Sequence, residues 1–259
     1  ADYTCLDVNS MYGYVMKEYQ YPFNLRTTGR KLALKELPKI LAHQCIIAEV
    51  LLNTPEPLFS VRHDNRLIFP VGSFRTTLTT EELKYAYEHG YIVECYKYAI
   101  YDRALLFGDY VNFFYDQRMK YQASGNKPFA AITKLFQNSL YGKFGQHNDE
   151  WSTLGEDTES KDFVMREYDA QRHCWVECRS INGRIEECTG KVLARHAMVA
   201  IPAHVTANAR LFLMKRANIA GYGNYFLYRH RLFMGKHHRQ RTVNGIYTPN
   251  STWEAKSRA

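Results

Sequence analysis

The sequence predicts a fold that mixes β-strands and α-helices, and three observations support it. Short β-prone runs alternate with polar segments over residues 1–59. Two consecutive helical patterns follow at about 108–121 and 128–144. An alanine-rich pattern then predicts a long helix over 191–217. We therefore expect sheets packed against helices in this chain of 259 residues.

Local composition predicts the remaining elements. Residues 80–89 are expected to form a helix, because threonines precede it, two acids suit its first turn and Gly90 ends it. A polar helical or loop stretch is expected at 31–41, and Asn182-Gly183 predicts a hairpin turn. Strands are expected where β-branched and aromatic residues dominate, at residues 3–8, 45–52, 66–70 and 91–101.

The positive charge of the chain is concentrated in its last segment. From Leu227 onward there are seven Lys or Arg residues and one acid, so this tail holds +6 of the net charge of +8. The rest is nearly neutral, and net charge alone does not identify a nucleic-acid partner. No apolar run predicts a transmembrane helix, and no signal-peptide pattern opens the chain. The chain starts with Ala1 and enters a strand at once, so we expect an N-terminal portion to be missing.

Six cysteines are scattered along the chain, mostly in apolar surroundings, which favours reduced intracellular thiols. A zinc site is the alternative, because four potential ligands lie close together in the sequence: His173, Cys174, Cys178 and Cys188. Their spacing contains no paired C-x-x-C, so the interpretation as scattered thiols is preferred.

The most informative segment is K-L-F-Q-N-S-L-Y-G-K-F-G, which begins at Lys134. Asn138, Tyr141 and Gly145 follow Lys134 at offsets of 4, 7 and 11, which places them on one face of an α-helix. A core helix would carry Leu or Ile at these positions. A cation, an amide and a phenol on one face favour a surface that binds a charged and planar ligand, such as a nucleoside triphosphate.

A second motif lies near the start of the chain, where a β-prone run delivers Asp7 and turn-type residues continue to Gly13. The two segments resemble motifs A (D-x-x-S-L-Y-P) and B (K-x-x-x-N-S-x-Y-G) of family B DNA polymerases, most closely the protein-primed (type-2) branch of viruses and linear plasmids. Motif B matches at every fixed position. Motif A departs twice, with Met11 for Leu and Gly13 for Pro, and we expect this glycine to loosen the turn without removing chemistry.

The resemblance implies an α+β fold, in which an antiparallel palm sheet is backed by helices and joined by a helical fingers hairpin. It also implies an incomplete polymerase, without thumb or exonuclease. The implied regions are the palm with motif A at 1–59, a palm insertion resembling the terminal-protein region at 60–105, the fingers with motif B at 106–145, a strand-displacement insertion or β-hairpin region at 146–190, and the palm helix leading to motif C at 191–226.

The resemblance assigns roles to nucleotide-binding residues as well. Tyr12 corresponds to the steric gate, whose ring lies under the sugar and excludes a 2′-hydroxyl. Lys134 would hold the triphosphate, with Arg118 as a second cation, although a solvated helix charge is an equal alternative for Arg118. The other implied contacts are Ser10 and Met11 along the triphosphate path, Asn138 near the nucleotide, Tyr141 against the nascent base pair and Gly142 beside the template base.

Nucleotidyl transfer of this kind uses two divalent metal ions about 4 Å apart. Mg²⁺ prefers carboxylate oxygens and retains several waters. The resemblance assigns Asp7 and the backbone carbonyl of Val8 as metal ligands, and Asp7, Lys134 and Tyr141 as the catalytic set. A turn or helix cap is the alternative role for a lone Asp at the end of a strand.

Motif C, Y-x-D-T-D-S, is expected soon after the helix at 191–217 but is absent from the sequence. The chain instead contains Leu227-Tyr-Arg-His-Arg-Leu232. Permitted codons for these residues (TTA TAC CGA CAC CGA CTC) encode Tyr-Thr-Asp-Thr-Asp-Ser once the first base is dropped. We therefore hypothesise that residues 227–259 are translated out of frame, and a genuine basic extension is the alternative. The nucleotide sequence of codons 220–260 distinguishes the two, because only the first requires a one-base change.

The resemblance implies DNA-directed DNA synthesis, in which a nucleotidyl group passes from a dNTP to a primer 3′-hydroxyl. The expected partners are template and primer DNA, dNTP and a terminal protein. No membrane partner is expected, and the setting is intracellular, in the host of a virus or plasmid or in its mitochondria. Without motif C we expect this chain to be inactive or nearly so. The alternative is a non-catalytic nucleotide- or DNA-binding remnant, which would lose binding on Lys134→Ala and scarcely respond to Asp7→Asn.

Overall fold

The computed structural model describes residues 3–8, 10–64, 66–157, 159, 161–220, 225–228, 231–235 and 253–256, with side chains only between residues 10 and 216. Its contacts divide the chain into two compact units. Unit 1 comprises Ala1–Tyr141 and Ala200–Ala259, and unit 2 comprises Gly142–Val199. Helices accompany sheets whose described strands all pair antiparallel, which confirms the predicted α+β class.

The first sheet of unit 1 is built around the strand that contains Asp7. The described strands are β1 (Tyr3–Val8), β12 (Tyr225–Tyr228), β13 (Arg231–Gly235) and β14 (Trp253–Lys256), in the order β12-β13-β1-β14. β1 therefore has a neighbour on each side. Most of the predicted out-of-frame tail lies outside the described residues, and the hypothesis about its reading frame stays a prediction.

A helix, α1 (Met11–Glu18), follows β1 where the sequence predicted turn-type residues up to Gly13, so that prediction is wrong. Ser10 adopts a left-handed backbone conformation, with φ of 50°, which changes the direction of the chain before Met11. Val15 and Met16 are fully buried, so one side of α1 faces the protein interior. This burial outweighs the turn preference of Ser10 and Gly13.

The second sheet of unit 1 has the order β2-β7-β3-β6. Its strands are β2 (Tyr21–Gly29), β3 (Cys45–Thr54), β6 (Gly72–Thr79) and β7 (Ile92–Ala104), and a short hairpin of β4 (Val61–His63) and β5 (Arg66–Ile68) precedes β6. A 3₁₀ turn (Leu34–Glu36) and α2 (Leu37–His43) join β2 to β3, and α3 (Thr80–Glu88) joins β6 to β7. Residues 60–105 thus supply two strands to the sheet that also contains β2 and β3.

The core of unit 1 lies between this second sheet and three helices. Alternate residues of β3, among them Val50 and Leu52, are fully buried, as expected for one face of a strand. Leu37 of α2 and Leu83 of α3 are also fully buried in the same cluster. Leu211 of α6 (Ala200–Ala220) completes it, so the long helix packs on the same side of the sheet as α2 and α3.

The two helices predicted near 108–121 and 128–144 are present as α4 (Gly108–Ala123) and α5 (Lys127–Phe144). Gly125 lies in their connection with φ of +72°, a conformation that favours glycine. The Phe114 and Phe136 rings lie 5.6 Å apart, and the Tyr110 hydroxyl donates a hydrogen bond to the Phe136 carbonyl over 2.9 Å. These contacts hold α4 and α5 together as a hairpin.

The long helix α6 begins later than the sequence predicted. Lys191, expected inside the helix, belongs instead to a strand and lies opposite Asp149 in a ladder. The helix starts at Ala200, with Pro202 in its first turn, where a missing N–H removes no intrahelical bond. The alanine-rich composition therefore predicted the helix correctly, but strand pairing determined where it begins.

Helix α3 has the predicted capping arrangement, with Thr79 as N-cap and Glu82 completing a capping box. The Thr79 N–H donates to Glu82 Oε2 over 3.1 Å. Glu82 also accepts from Arg210 of α6, with Nη2 3.1 Å from Oε1, and its side chain is only 5% exposed. One buried carboxylate thus caps α3 and ties it to α6.

A buried histidine makes a second connection between α3 and α6. His204 Nδ1 lies 2.7 Å from the Ala200 carbonyl, so it donates, and Nε2 lies 2.9 Å from the Thr80 hydroxyl, from which it accepts. This pattern requires a neutral imidazole. Burial lowers the pKa of His204 from 6.5 to about 4.

We expect the stability of unit 1 to fall as the pH is lowered from about 6.5 to 4. In this window the unfolded chain binds a proton at His204 and the folded chain does not, so acid favours unfolding. The shift corresponds to about 3 kcal/mol when complete. Denaturant unfolding at several pH values measures the free energy, and His204→Gln serves as the comparison. The same pH slope in the variant would remove His204 as its cause.

Unit 2 contains an antiparallel sheet with the order β8-β11-β10-β9. Its strands are β8 (His147–Glu156), β9 (Phe163–Asp169), β10 (Cys174–Ile181) and β11 (Arg184–Leu193). Asn182 and Gly183 connect β10 to β11 with φ of 52° and 76°, as in a two-residue type I′ turn. This confirms the predicted hairpin turn.

Candidate functional site

The strand β1 leads directly to the start of α1, where motif A lies. Asp7 is the next-to-last residue of β1, and the sheet register places it opposite Arg231 of β13 and Glu254 of β14. The side chain of Asp7 lies outside the described part of the chain. Its role as a metal ligand therefore stays a prediction, as does the role of the Val8 carbonyl.

Ser10 connects the start of α1 to the α4–α5 hairpin. The Ser10 side chain makes no capping hydrogen bond, and its Oγ instead accepts from Arg118 Nη1 over 3.0 Å. The first N–H groups of a helix have no intrahelical acceptor and favour an anion nearby. The structure thus brings Ser10 and Arg118 together. Because the Met11 side chain is buried, Met11 can offer only its backbone groups to a ligand here.

The two tyrosines predicted to contact the nucleotide lie against each other. The ring centroids of Tyr12 in α1 and Tyr141 in α5 are 4.7 Å apart, with planes inclined by 29°. Burial raises the pKa of Tyr12 well above its ordinary value, and the neighbouring Tyr141, to which it is hydrogen-bonded, raises it further. The Tyr12 hydroxyl therefore stays protonated at neutral pH.

Lys134 and Arg118 line one cleft of about 500 Å³ between α4 and α5. Lys127 is a third cation in the same lining, which contains no acidic residue. Sequence reasoning missed Lys127, because its position beside the cleft depends on how α5 folds back on α4. A cleft with three cations and no acid is suited to a multiply charged anion.

The remaining motif B residues lie at different depths. Asn138 is half-buried, and its Oδ1 has no hydrogen-bond partner among the described residues. Gly142 is exposed, and a Cβ there would meet no atom within 4 Å. Gly145, predicted on the same helical face, lies beyond the end of α5. Of the residues that the spacing predicted on one face, those from Lys134 to Tyr141 lie on α5 and Gly145 does not.

The described residues fit a complete metal site poorly. Among side chains that the structure describes, no group of three or more His, Cys, Asp or Glu could hold a metal ion, so the zinc alternative at His173, Cys174, Cys178 and Cys188 gains no support. For Mg²⁺, the end of β1 could offer Asp7 and a carbonyl oxygen. The sheet register places Arg231 on one side of Asp7 and Glu254 on the other, and motif C, which would supply the further carboxylates of a two-metal site, is absent from the sequence.

Solved structures show which class of fold this is. The chain is similar to phi29 DNA polymerase in its orthorhombic crystal form, with a TM-score of 0.66 and 13% identity over 99% of this chain and 43% of that one. It is also similar to phi29 DNA polymerase in a ternary complex with primer-template DNA and incoming nucleotides, with a TM-score of 0.59 and 14% identity over 98% and 43%. At such identities the similarity shows a DNA polymerase fold and no more.

Two curated fungal proteins are similar in sequence. A protein of Neurospora intermedia described as "Probable DNA polymerase" is 29% identical over 154 residues, which cover 54% of this chain and 15% of that protein. A protein of Ascobolus immersus with the same description is 28% identical over 149 residues, covering 54% and 12%. The chain thus spans a small part of the length of the curated relatives it matches.

The model of the family described as DNA polymerase type B, organellar and viral, matches residues 1–185. The chain belongs to this family, as the resemblance in motifs A and B predicted. The described helices are too short or too polar to cross a membrane.

Proposed function

We propose that unit 1 binds the triphosphate of an incoming dNTP as part of a DNA-directed DNA polymerase. The cleft lined by Arg118, Lys127 and Lys134 carries this proposal, because its lining holds three cations and no acid. Arg118 also contacts Ser10, so the cleft adjoins the start of α1, where the first N–H groups have no intrahelical acceptor. A triphosphate bound there would meet cations and helix N–H donors together.

The tyrosine pair supports a sugar and base site beside these cations. Tyr12 lies two residues after Ser10 and stacks on Tyr141, which lies seven residues after Lys134. A nucleotide held by its phosphates would therefore present its sugar and base near two stacked rings. We propose that Tyr12 excludes the 2′-hydroxyl and that Tyr141 contacts the base pair, with Asn138 and Gly142 beside it.

The proposed reaction is attack of a primer 3′-hydroxyl on the α-phosphorus, with release of pyrophosphate. Arg118, Lys127 and Lys134 would bind the phosphates and offset the charge that develops on the leaving group. Mg²⁺, when bound, would supply activation of the hydroxyl and stabilisation of pyrophosphate. Because motif C is absent from the sequence, we expect primer extension by this chain alone to be very slow.

The proposed partners follow from the same family. We propose that template and primer DNA bind unit 1 and that a terminal protein primes synthesis, with residues 60–105 contributing to that contact. Leu67, Phe69 and Val71 expose apolar side chains there, which is typical of an interaction surface. We further propose that residues 146–190, within unit 2, form the strand-displacement insertion, and that the protein acts inside a host cell or its mitochondria.

A non-catalytic binding remnant is the second candidate function. The absence of motif C favours it, since the second pair of metal-binding carboxylates is then missing. Both candidates require the triphosphate cleft, but only the polymerase requires Asp7. Nucleotide binding that depends on Lys134, with no primer extension at any Mg²⁺ concentration, would support the remnant.

Replacing Tyr12 by valine should weaken the preference for dATP over ATP. The smaller side chain no longer fills the space under the sugar, and one such group in a pocket is worth about 1–3 kcal/mol, or roughly tenfold or more in selectivity. Equilibrium dialysis of labelled dATP and ATP, with a primer-template that presents thymine, measures both affinities. Tyr14→Val is the matched control, because the Tyr14 ring packs against Phe212 instead, with the two planes inclined by 52°. An unchanged ratio in Tyr12→Val would exclude the gate role.

A further inference from the structure

Helices α1 and α5 approach each other at two points, one turn apart on α5. At the first, Tyr12 stacks on Tyr141. At the second, Gly13 faces Gln137, four residues before Tyr141 and so on the same face of the helix. Two contacts between neighbouring residues of α1 and one face of α5 fix both the separation and the rotation of the helices.

The second contact explains why a glycine lies inside α1. Glycine is unfavourable within a helix compared with alanine. A Cβ at position 13, however, would lie 2.9 Å from Gln137 Nε2, 3.1 Å from Cδ and 3.3 Å from Cγ. Gln137 is 2% exposed, so its side chain cannot move out into solvent to make room. A residue with a Cβ at position 13 therefore requires either the Gln137 side chain or helix α1 to shift.

Gln137 is itself an unusual residue for this position. Its Oε1 is buried and has no hydrogen-bond partner among the described residues, which is unfavourable for a buried amide. An apolar side chain would avoid that cost. The contact with Gly13 gives the amide a steric role, because a flat carboxamide fits against the bare backbone of α1.

We infer that Gln137 is a positioning residue that sets the separation of α1 and α5 and so holds Tyr12 against Tyr141. In combination with the proposed function, on which this part of the inference rests, the Gly13–Gln137 contact determines how well the site distinguishes deoxyribose from ribose. Gln137 acts through Tyr12 and does not contact the nucleotide.

A double-substitution experiment tests the inference through sugar selectivity. Gly13→Ala should lower the ratio of dATP to ATP affinity by about tenfold, because the added methyl group separates the helices and displaces Tyr12. Combining it with Gln137→Ala removes the opposing atoms and should restore most of the ratio. Gly108→Ala is the control, since a Cβ there meets no atom within 4 Å. Failure of the double variant to recover would overturn the inference.

A second measurement does not depend on nucleotide binding. With 3-fluorotyrosine placed at position 12, the ¹⁹F resonance reports the stack, and Tyr141→Leu defines its unstacked value. Gly13→Ala should move the resonance toward that value, and the double variant should return it. A resonance unchanged in Gly13→Ala overturns the inference. If the wild-type chain binds neither nucleotide, the proposed function fails, and the ¹⁹F result alone decides whether Gln137 positions Tyr12.

Discussion

Replacing both Arg118 and Lys134 by alanine should reduce dATP affinity by about 100-fold or more. Each side chain lines the cleft between α4 and α5, and a hydrogen bond to a charged group contributes roughly 1.5–3 kcal/mol. Lys127 remains in the double variant, so residual binding is expected. Equilibrium dialysis measures the affinity directly. The ionic strength must be held constant, because salt weakens interactions between exposed charges.

Lys120→Ala is the matched control for this prediction. Lys120 is an exposed cation of the same helix, α4, but it does not line the cleft. It removes one positive charge, as each of the two substitutions in the double variant does, and should change dATP affinity little. A loss in Lys120→Ala as large as that in Arg118→Ala or Lys134→Ala alone would show that binding depends on net charge, and the triphosphate site would then be wrong. Circular dichroism must show that each variant is folded.

Glu82→Ala should destabilise unit 1 by about 4 kcal/mol. The change removes the capping box of α3, worth roughly 1 kcal/mol, and leaves Arg210 without its partner. Breaking a buried ion pair costs about 3–5 kcal/mol, and the lower end applies because the Arg210 side chain is 25% exposed.

Urea denaturation followed by circular dichroism measures this loss. Glu88→Ala is the control, since Glu88 is an exposed acid at the end of the same helix and should be neutral or slightly stabilising on removal. Glu82→Gln should be intermediate, because the amide oxygen can still accept the cap hydrogen bond. A loss under 1 kcal/mol in Glu82→Ala would show that neither the cap nor the ion pair matters.

The sequence predicted much of this site because its motifs are local. Lys134, Asn138 and Tyr141 follow one helical spacing, and that spacing survives in α5. Ser10, Tyr12 and Asp7 follow one another within a single strand-to-helix segment. The capping box of α3 is equally local, since Thr79 and Glu82 are three residues apart. Such patterns can be recognised in a sequence because the residues that contact each other are only a few positions apart.

Features that depend on distant segments could not be predicted. Lys127 joins the cleft only because α5 folds against α4, and Gln137 matters only because Gly13 faces it across two helices. The sequence predicted that α6 starts at residue 191, but it starts at Ala200, because Lys191 pairs with a strand more than 40 residues earlier. In each case tertiary contact, and not local preference, decides the outcome.

Gly13 stands where motif A usually has proline, and the conformation expected from that difference was wrong. Glycine in place of proline suggested a looser turn, but the structure places Gly13 inside a helix and against the side chain of Gln137. Its function is to allow close approach of two elements, not to supply a flexible turn. The partner that gives this position meaning lies 124 residues away in the sequence.

Photo-crosslinking with 8-azido-dATP tests most directly whether dNTP binds where α1 meets the α4–α5 hairpin. Mass spectrometry of the labelled chain should find adducts in α1 or α5, competed by unlabelled dATP and lost in the Arg118→Ala/Lys134→Ala variant. Adducts confined to unit 2, or labelling of α1 and α5 that dATP does not compete, would contradict the account.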